Sequence, residues 1–141
     1  MEVNVYTDST IKNPKRGEGT AMFLIECPQK PDNVVKGFVH LPDTTEDAIT
    51  LTAIIEALQR FTRPTTIKIF TKSNIYHAIY TGRIFEAKDD GYLTKKAQPV
   101  KNAELWDIFF KLVPKHSWSV TQEDHSFMEL MRSELKKWPK V

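Results

Sequence analysis

The chain has 141 residues, of which 40% are hydrophobic and 27% are charged. This length fits one domain, residues 1–141, with a buried core, and the composition is ordinary for a globular protein. No apolar run approaches the roughly 20 residues that cross a bilayer, so we expect no membrane segment. The single cysteine excludes an internal disulfide. Together with the lack of an apolar leader, it predicts a reducing compartment, the cytoplasm.

The charges are distributed unevenly along the chain. Residues 1–60 carry 6 basic and 9 acidic side chains, and residues 61–141 carry 14 basic and 9 acidic ones, for a total charge of +2. The basic excess of the second part is a weak indication of a polyanionic partner. A solvated surface with a basic helix end explains the same pattern equally well.

The first part of the chain alternates strand and turn patterns. Apolar or β-branched segments at 3–7, 19–27 and 34–41 predict three strands. Proline, glycine and polar residues at 12–17 and 28–32 predict the turns between them. Three strands joined by short turns indicate an antiparallel meander.

Helical periodicity begins after the third strand. Thr44-Thr45 offers an N-cap for a helix over about 46–62, which Pro64 stops. Then follow a strand at 67–71, a short helix from Ser73 to Thr81, an irregular stretch at 84–100, a helix at 102–112, a strand at 118–120 and a last helix capped by Ser126. The order predicts an α/β fold in which parallel crossovers extend the hairpin into a five-stranded mixed sheet.

Four short motifs stand at defined positions in this order. They are Tyr6-Thr7-Asp8-Ser9-Thr10 followed by Asn13-Pro14 and Gly17-x-Gly19, then Thr44-Thr45 ahead of a helix, Thr71-Lys72-Ser73 after a strand, and Pro99-Val100-Lys101-Asn102 leading to Leu105-Trp106. In this order and spacing, the motifs resemble those of the ribonuclease H family over the whole chain. The resemblance implies the ribonuclease H-like fold, with helices on both faces of the sheet.

The resemblance also implies where a catalytic site would lie. The family holds two divalent ions with four carboxylates, and magnesium requires oxygen ligands. Only Asp8 is retained, whereas Thr50, Lys72 and Ser133 occupy the other three positions. We predict that the Lys72 ammonium pairs with Asp8, so that no metal or other cofactor is bound. Magnesium or manganese would bind only if another carboxylate, such as Glu46, rebuilt the site.

A loop histidine that assists product release in the family corresponds to Glu123 here, and His125 lies two residues further on. A local shift in register could bring His125 into that role. The four histidines are scattered and no cysteine pair exists, so the sequence offers no other metal-binding pattern.

The residues that could contact nucleic acid follow from the same resemblance. They are Asn13, Lys15, Arg16, Thr45, Lys95, Lys96 and Lys101. Basic side chains neutralise phosphates and release counterions, which gives affinity without sequence preference. Glu46 and Asp47 argue against such binding, because they occupy positions where the family usually has small amides beside the nucleic-acid backbone.

Three functions therefore remain. The favoured one is a degenerate ribonuclease H-like domain that binds nucleic acid, such as an RNA/DNA hybrid, without cleaving it. The second is a protein-interaction module that uses aromatic residues of the 84–93 stretch. The third is a ribonuclease H that acts on hybrids through a non-standard metal site.

Overall fold

The computed structural model describes residues 1–139, and this range contains five strands and five helices. The elements are β1 (Glu2–Ser9), β2 (Arg16–Glu26), β3 (Val34–Thr45), α1 (Glu46–Leu58), β4 (Thr66–Phe70), α2 (Asn74–Tyr80), α3 (Arg83–Asp89), α4 (Ala103–Leu112), β5 (Ser117–Thr121) and α5 (Met128–Lys137). None of the helices in this range is both long and apolar enough to cross a membrane.

The strands form one mixed sheet in the order β3-β2-β1-β4-β5. β1 and β3 each pair antiparallel with β2, while β4 pairs parallel with both β1 and β5. This arrangement confirms the predicted meander and the two parallel additions. Because parallel strands end at the same edge, the residues that follow β1, β4 and β5 are brought together there.

The two faces of the sheet bury very different amounts of apolar surface. One face packs against α1 and α4 around large buried side chains such as Phe23, Leu51 and Phe109. The other face is covered by α5, and its smaller cluster consists of Tyr6, Met22, Leu24, Phe70, Met131 and Leu135. The period of two along each strand produces this division, since Val5 faces the first cluster and Tyr6 the second.

Several predicted boundaries were wrong. The 84–100 stretch was predicted to be irregular, yet it contains α3, which begins after Gly82 at φ 78° and buries Ile84. α1 ends at Leu58, short of residue 62, and β3 continues past residue 41 to Thr45. The last helix begins at Met128 without a side-chain cap from Ser126. Element ends depend on local hydrogen bonds that periodicity does not report.

Two predicted helix caps are confirmed, and both help to position the site. Thr45 Oγ1 accepts a hydrogen bond from Ala48 N at 3.3 Å and thereby fixes the start of α1. Ser73 Oγ accepts one from Ile75 N at 3.3 Å and fixes the start of α2. The first-turn acids of α1, Glu46 and Asp47, consequently lie beside the loops at this edge of the sheet.

Candidate functional site

Asp8 lies near the end of β1 and faces a cavity of about 350 Å³. One oxygen, Oδ1, accepts hydrogen bonds from Ser9 N and from Lys12 Nζ, both at 2.8 Å. The Asp8 side chain is 27% exposed, so solvent and ligands can reach it. The cavity is lined by Thr7, Asp8, Lys12, Glu46, Phe70, Thr71, Lys72, Glu123, His125, Met128, Met131 and Arg132.

A single ammonium group lies between two carboxylates at this site. Lys12 Nζ is 2.8 Å from Asp8 Oδ1 and 3.9 Å from Glu46 Oε2. The other Glu46 oxygen accepts a hydrogen bond from Asn13 N at 3.1 Å, which ties α1 to the loop after β1. Lys12 therefore contributes positive charge next to the Asp8 carboxylate.

The predicted pairing of Lys72 with Asp8 was wrong. Lys72 Nζ instead lies 2.5 Å from Asp124 Oδ1. Lys72 comes just after β4 and Asp124 just after β5, and these parallel neighbours end at the same edge of the sheet. The hydrogen bond from Lys72 lowers the pKa of the Asp124 carboxyl. Lys12 is four residues from Asp8 on a short loop, and it pairs with the Asp8 carboxylate in place of Lys72.

Thr50 and Ser133, the other two positions that the resemblance assigns to the catalytic site, lie in different surroundings. Thr50 is 3% exposed and lines a recess of only about 10 Å³ with Asp8 and Lys72, which leaves room for about one water. Ser133 was expected at the fourth position, but it does not line the cavity. Met128, Met131 and Arg132 of α5 do so in its place. The helix therefore presents thioethers and a guanidinium to the cavity that contains Asp8.

His125 lines the cavity and packs against aromatic rings. Its ring centroid is 4.2 Å from that of Tyr6 and 5.5 Å from that of Phe70, and its Nδ1 accepts a hydrogen bond from Phe127 N at 3.2 Å. Burial and, less strongly, the Lys72 charge lower the pKa of His125 and favour the neutral imidazole. Glu123 lines the same cavity and lies 3.6 Å from Lys68 Nζ. The structure thus places both candidates for the loop histidine position beside Asp8.

These side chains do not fit a pair of divalent ions. Magnesium at such a site needs several oxygen ligands, whereas the cavity around Asp8 combines Glu46 and Glu123 with two lysines and an arginine, which repel a cation. Among residues 1–139, no three histidine, cysteine or acidic side chains are placed to share a metal ion. The nearest additional carboxylate, Glu46, shares the Lys12 ammonium with Asp8.

The candidate nucleic-acid contacts lie in two places. Four of them surround the loop between β1 and β2, namely Asn13, Lys15, Arg16 and Thr45. Lys15 is exposed, but Arg16 already donates from Nε and Nη2 to both oxygens of Asp43, at 3.0 and 3.2 Å. The Thr45 hydroxyl caps α1. Lys15 is thus the cation of this group that carries its charge without a carboxylate partner in the described range.

The other three candidates follow α3. Lys95 and Lys96 are exposed in a turn closed by the pairing of Leu93 with Pro99. Lys101 lines a second cavity, of about 280 Å³, which also contains Asp47 and Arg83. Asp47 Oδ1 accepts a hydrogen bond from Asn74 N at 3.2 Å, yet burial raises the pKa of its carboxyl. The structure therefore separates these lysines from Asp8 and places Lys101 at a different cavity.

Sequence reasoning missed Lys12 and Arg132, and it counted Lys136 only as part of the basic excess of the second part of the chain. A signal existed for Lys12, because a lysine four residues after a carboxylate can reach it in a compact loop. Arg132 and Lys136 are four residues apart, so they share one face of the last helix. Both line a third cavity, of about 370 Å³, together with Asp8 and Lys12.

Comparison with known proteins gives consistent matches. A family model described as RNase H matches residues 1–122. The chain is 32% identical over 121 residues to a ribonuclease H of Cupriavidus necator, covering 84% of this chain and 80% of that one. LC9-RNase H1, a type 1 RNase H with the type 2 active-site motif, is similar in structure with a TM-score of 0.72 at 21% identity, covering 96% of this chain and 71% of that one.

A further match is the foamy viral protease-reverse transcriptase in complex with an RNA/DNA hybrid. Its TM-score is 0.60 at 11% identity, and the alignment covers 95% of this chain and 18% of that one. At these identities the two structural matches bear on the fold alone.

Proposed function

Because this chain belongs to the ribonuclease H family, we propose that it binds nucleic acid through the family's groove but does not cleave it by two-metal chemistry. The observation that carries the proposal is the position of Lys12. Its ammonium lies within 4 Å of two of the carboxylates that line the cavity, Asp8 and Glu46. The ammonium thereby supplies positive charge where a divalent cation would supply it, but an ammonium group cannot activate water.

The surroundings of Asp8 support the same conclusion. Thr50 supplies a neutral hydroxyl, and the three cations Lys12, Lys72 and Arg132 offset the three carboxylates of the cavity, Asp8, Glu46 and Glu123. A metal ion entering the cavity would therefore meet no net negative charge. Like charges at such short range cost several kcal/mol when solvent is partly excluded. The same cations attract a phosphate group, which needs no metal to be held by lysine or arginine.

Nucleic acid is the partner class that the family membership favours. The named relatives are ribonucleases H, and a protein of similar fold is known in complex with an RNA/DNA hybrid. Exposed basic side chains on the loop after β1 and in the turn before α4, including Lys15, Lys95 and Lys96, could contact the phosphates. We therefore propose that the favoured ligand is a duplex of the RNA/DNA hybrid type, which the chain recognises by its backbone and shape.

The direct test is binding of a fluorescently labelled RNA/DNA hybrid, measured by anisotropy in EDTA over a series of salt concentrations. We expect binding without added metal, with log K falling linearly against log salt because phosphate contacts release counterions. The variant Lys12→Gln should still bind, since the other cations remain. Absence of binding to hybrid, duplex and single strands at low salt would contradict the proposal.

Cleavage is the second candidate, and the names of the relatives favour it. A hybrid cut only in the presence of magnesium or manganese, with activity lost in Asp8→Asn, would establish a ribonuclease H that acts through a non-standard metal site at Asp8. This result requires the divalent ion to displace Lys12 from Asp8.

A protein-interaction role is the third candidate, and the aromatic residues predicted for it are partly exposed, with Phe85 at 39%. Within the 84–93 stretch, Phe85 packs against Phe110 and Trp118, with ring centroids 5.4 and 6.4 Å apart. The most exposed aromatic residue is Tyr80 of α2, which is 75% exposed and stacks on Tyr76 at 5.4 Å. A partner protein would therefore find more exposed aromatic surface at this pair of tyrosines than at Phe85.

A further inference from the structure

We propose that the cleft between the loop after β1 and helix α5 is a second phosphate site, which holds a nucleic-acid strand next to the Asp8 cavity. This inference rests on the proposed function and extends it to two basic residues of α5, Arg132 and Lys136, which are not among the seven candidate nucleic-acid contacts described above. The cleft has a volume of about 370 Å³. It is lined by Asp8, Ser9, Thr10, Lys12, Arg132, Leu135 and Lys136.

The charges of this cleft favour an anion. It contains three cations and one carboxylate, and that carboxylate already accepts hydrogen bonds from Lys12 Nζ and Ser9 N. In the described part of the chain, Arg132 and Lys136 have no carboxylate within ion-pair distance. Two exposed cations are therefore available for a ligand.

The helix geometry gives these two cations a common direction. Arg132 and Lys136 are four residues apart, so they project from one face of α5 about 6 Å apart along its axis. Like charges at this spacing disfavour an isolated helix by a few tenths of a kcal/mol. A bound phosphate chain would reverse this repulsion, because each cation would then face an anionic group.

The cleft is also continuous with the Asp8 cavity. Asp8, Lys12 and Arg132 line both spaces, and Met128, Arg132 and Lys136 form one row along α5 that passes from the first space to the second. A strand with one phosphate in the Asp8 cavity could therefore place a neighbouring phosphate in the cleft. The Thr10 hydroxyl accepts a hydrogen bond from Thr20 N and can donate its own hydrogen to a phosphate oxygen.

The test is hybrid binding by the double variant Arg132→Ala/Lys136→Ala, with Lys30→Ala/Arg63→Ala as the matched control. The control removes the same two types of cation from exposed loops near the other end of β1. We expect the slope of log K against log salt to become shallower by about 1.8, and affinity near 0.1 M salt to fall at least about tenfold. The control should bind like wild type, and Arg132→Lys/Lys136→Arg should restore binding.

Three results would overturn the inference. If wild type binds the hybrid and both double variants lose affinity equally, the cleft has no special role and the proposed function still stands. If wild type binds no nucleic acid, both proposals fail together. If inorganic phosphate at millimolar concentration binds the cleft while strands do not, the site takes free phosphate and the assignment to a strand is wrong.

Discussion

The two faces of the sheet differ in what covers them. The face under α1 and α4 is closed by a large apolar cluster, whereas the face under α5 has a small cluster and carries the two larger cavities that contain Asp8. Ionisable groups such as Lys12, His125 and Arg132 collect on the thinly covered side. Because the larger cluster buries more apolar surface, we expect the face under α1 and α4 to supply most of the stability, which leaves the α5 face free to carry ionisable groups.

The largest effect should come from truncating matched leucines on the two faces. Leu51 of α1 is fully buried in the large cluster, and Leu135 of α5 is 5% exposed at the border of the cleft. We expect Leu51→Ala to lower the free energy of unfolding by about 3–5 kcal/mol, and Leu135→Ala by about 2 kcal/mol, because the open cleft lets its surroundings relax. Urea unfolding measures both values. Equal losses would contradict the proposed difference between the faces.

The next effect concerns metal binding after removal of Lys12. Without this ammonium, Asp8 and Glu46 would face each other uncompensated, so we expect Lys12→Met to bind manganese at least about tenfold more tightly than wild type, or about 1.4 kcal/mol. Isothermal titration calorimetry measures the affinity. Lys111→Met is the matched control, because Lys111 forms the same i,i+4 pair with Asp107 on α4.

Retained tight binding in Lys12→Met/Asp8→Asn would place the manganese elsewhere. Unchanged affinity in Lys12→Met would show that Lys12 does not exclude metal from these carboxylates.

A smaller effect is the pH dependence that His125 contributes. Its folded-state pKa lies below the ordinary value because burial and then Lys72 disfavour the imidazolium. The unfolded chain therefore binds the proton first, and stability is lost as pH falls from the unfolded pKa of about 6.5 towards the folded one. Relative to His125→Phe, wild type should lose about 0.5 kcal/mol or less between pH 7 and pH 5, since solvent screens the partly exposed ring. A parallel pH dependence in the variant would assign the effect to other groups.

The smallest effect should follow from breaking the pair between Lys72 and Asp124. Both side chains are at least half exposed, so the ion pair is screened by solvent. We expect Asp124→Asn to leave the thermal midpoint unchanged within error at moderate salt. A clear drop in the midpoint would mean that this pair holds the ends of β4 and β5 together.

The sequence was sufficient for the architecture because period-two and period-3.6 patterns are strong over long segments. It predicted the five strands and their mixed pairing, and also the caps at Thr45 and Ser73. α3 escaped detection because its seven residues bury only Ile84, which is too short a pattern to indicate a helix.

The site was harder to predict, because ion pairs depend on which charged side chain lies closest in the folded structure. The sequence located Asp8 and the replacements at Thr50 and Lys72, but it assigned Asp8 the wrong partner. Lys12 lies on the loop of Asp8 itself, whereas Lys72 is directed towards the end of β5 by the parallel register. Likewise, the rotation of α5 that presents Arg132 in place of Ser133 follows from packing of Met131 and Leu135.

The most direct test is cleavage of a labelled RNA/DNA hybrid by the wild-type chain in magnesium and in manganese, with Asp8→Asn measured in parallel. We expect the hybrid to remain intact in both metals, with no difference between wild type and variant, although wild type binds it. Metal-dependent cleavage that disappears in Asp8→Asn would contradict the account and would show that Asp8 still serves a catalytic metal site.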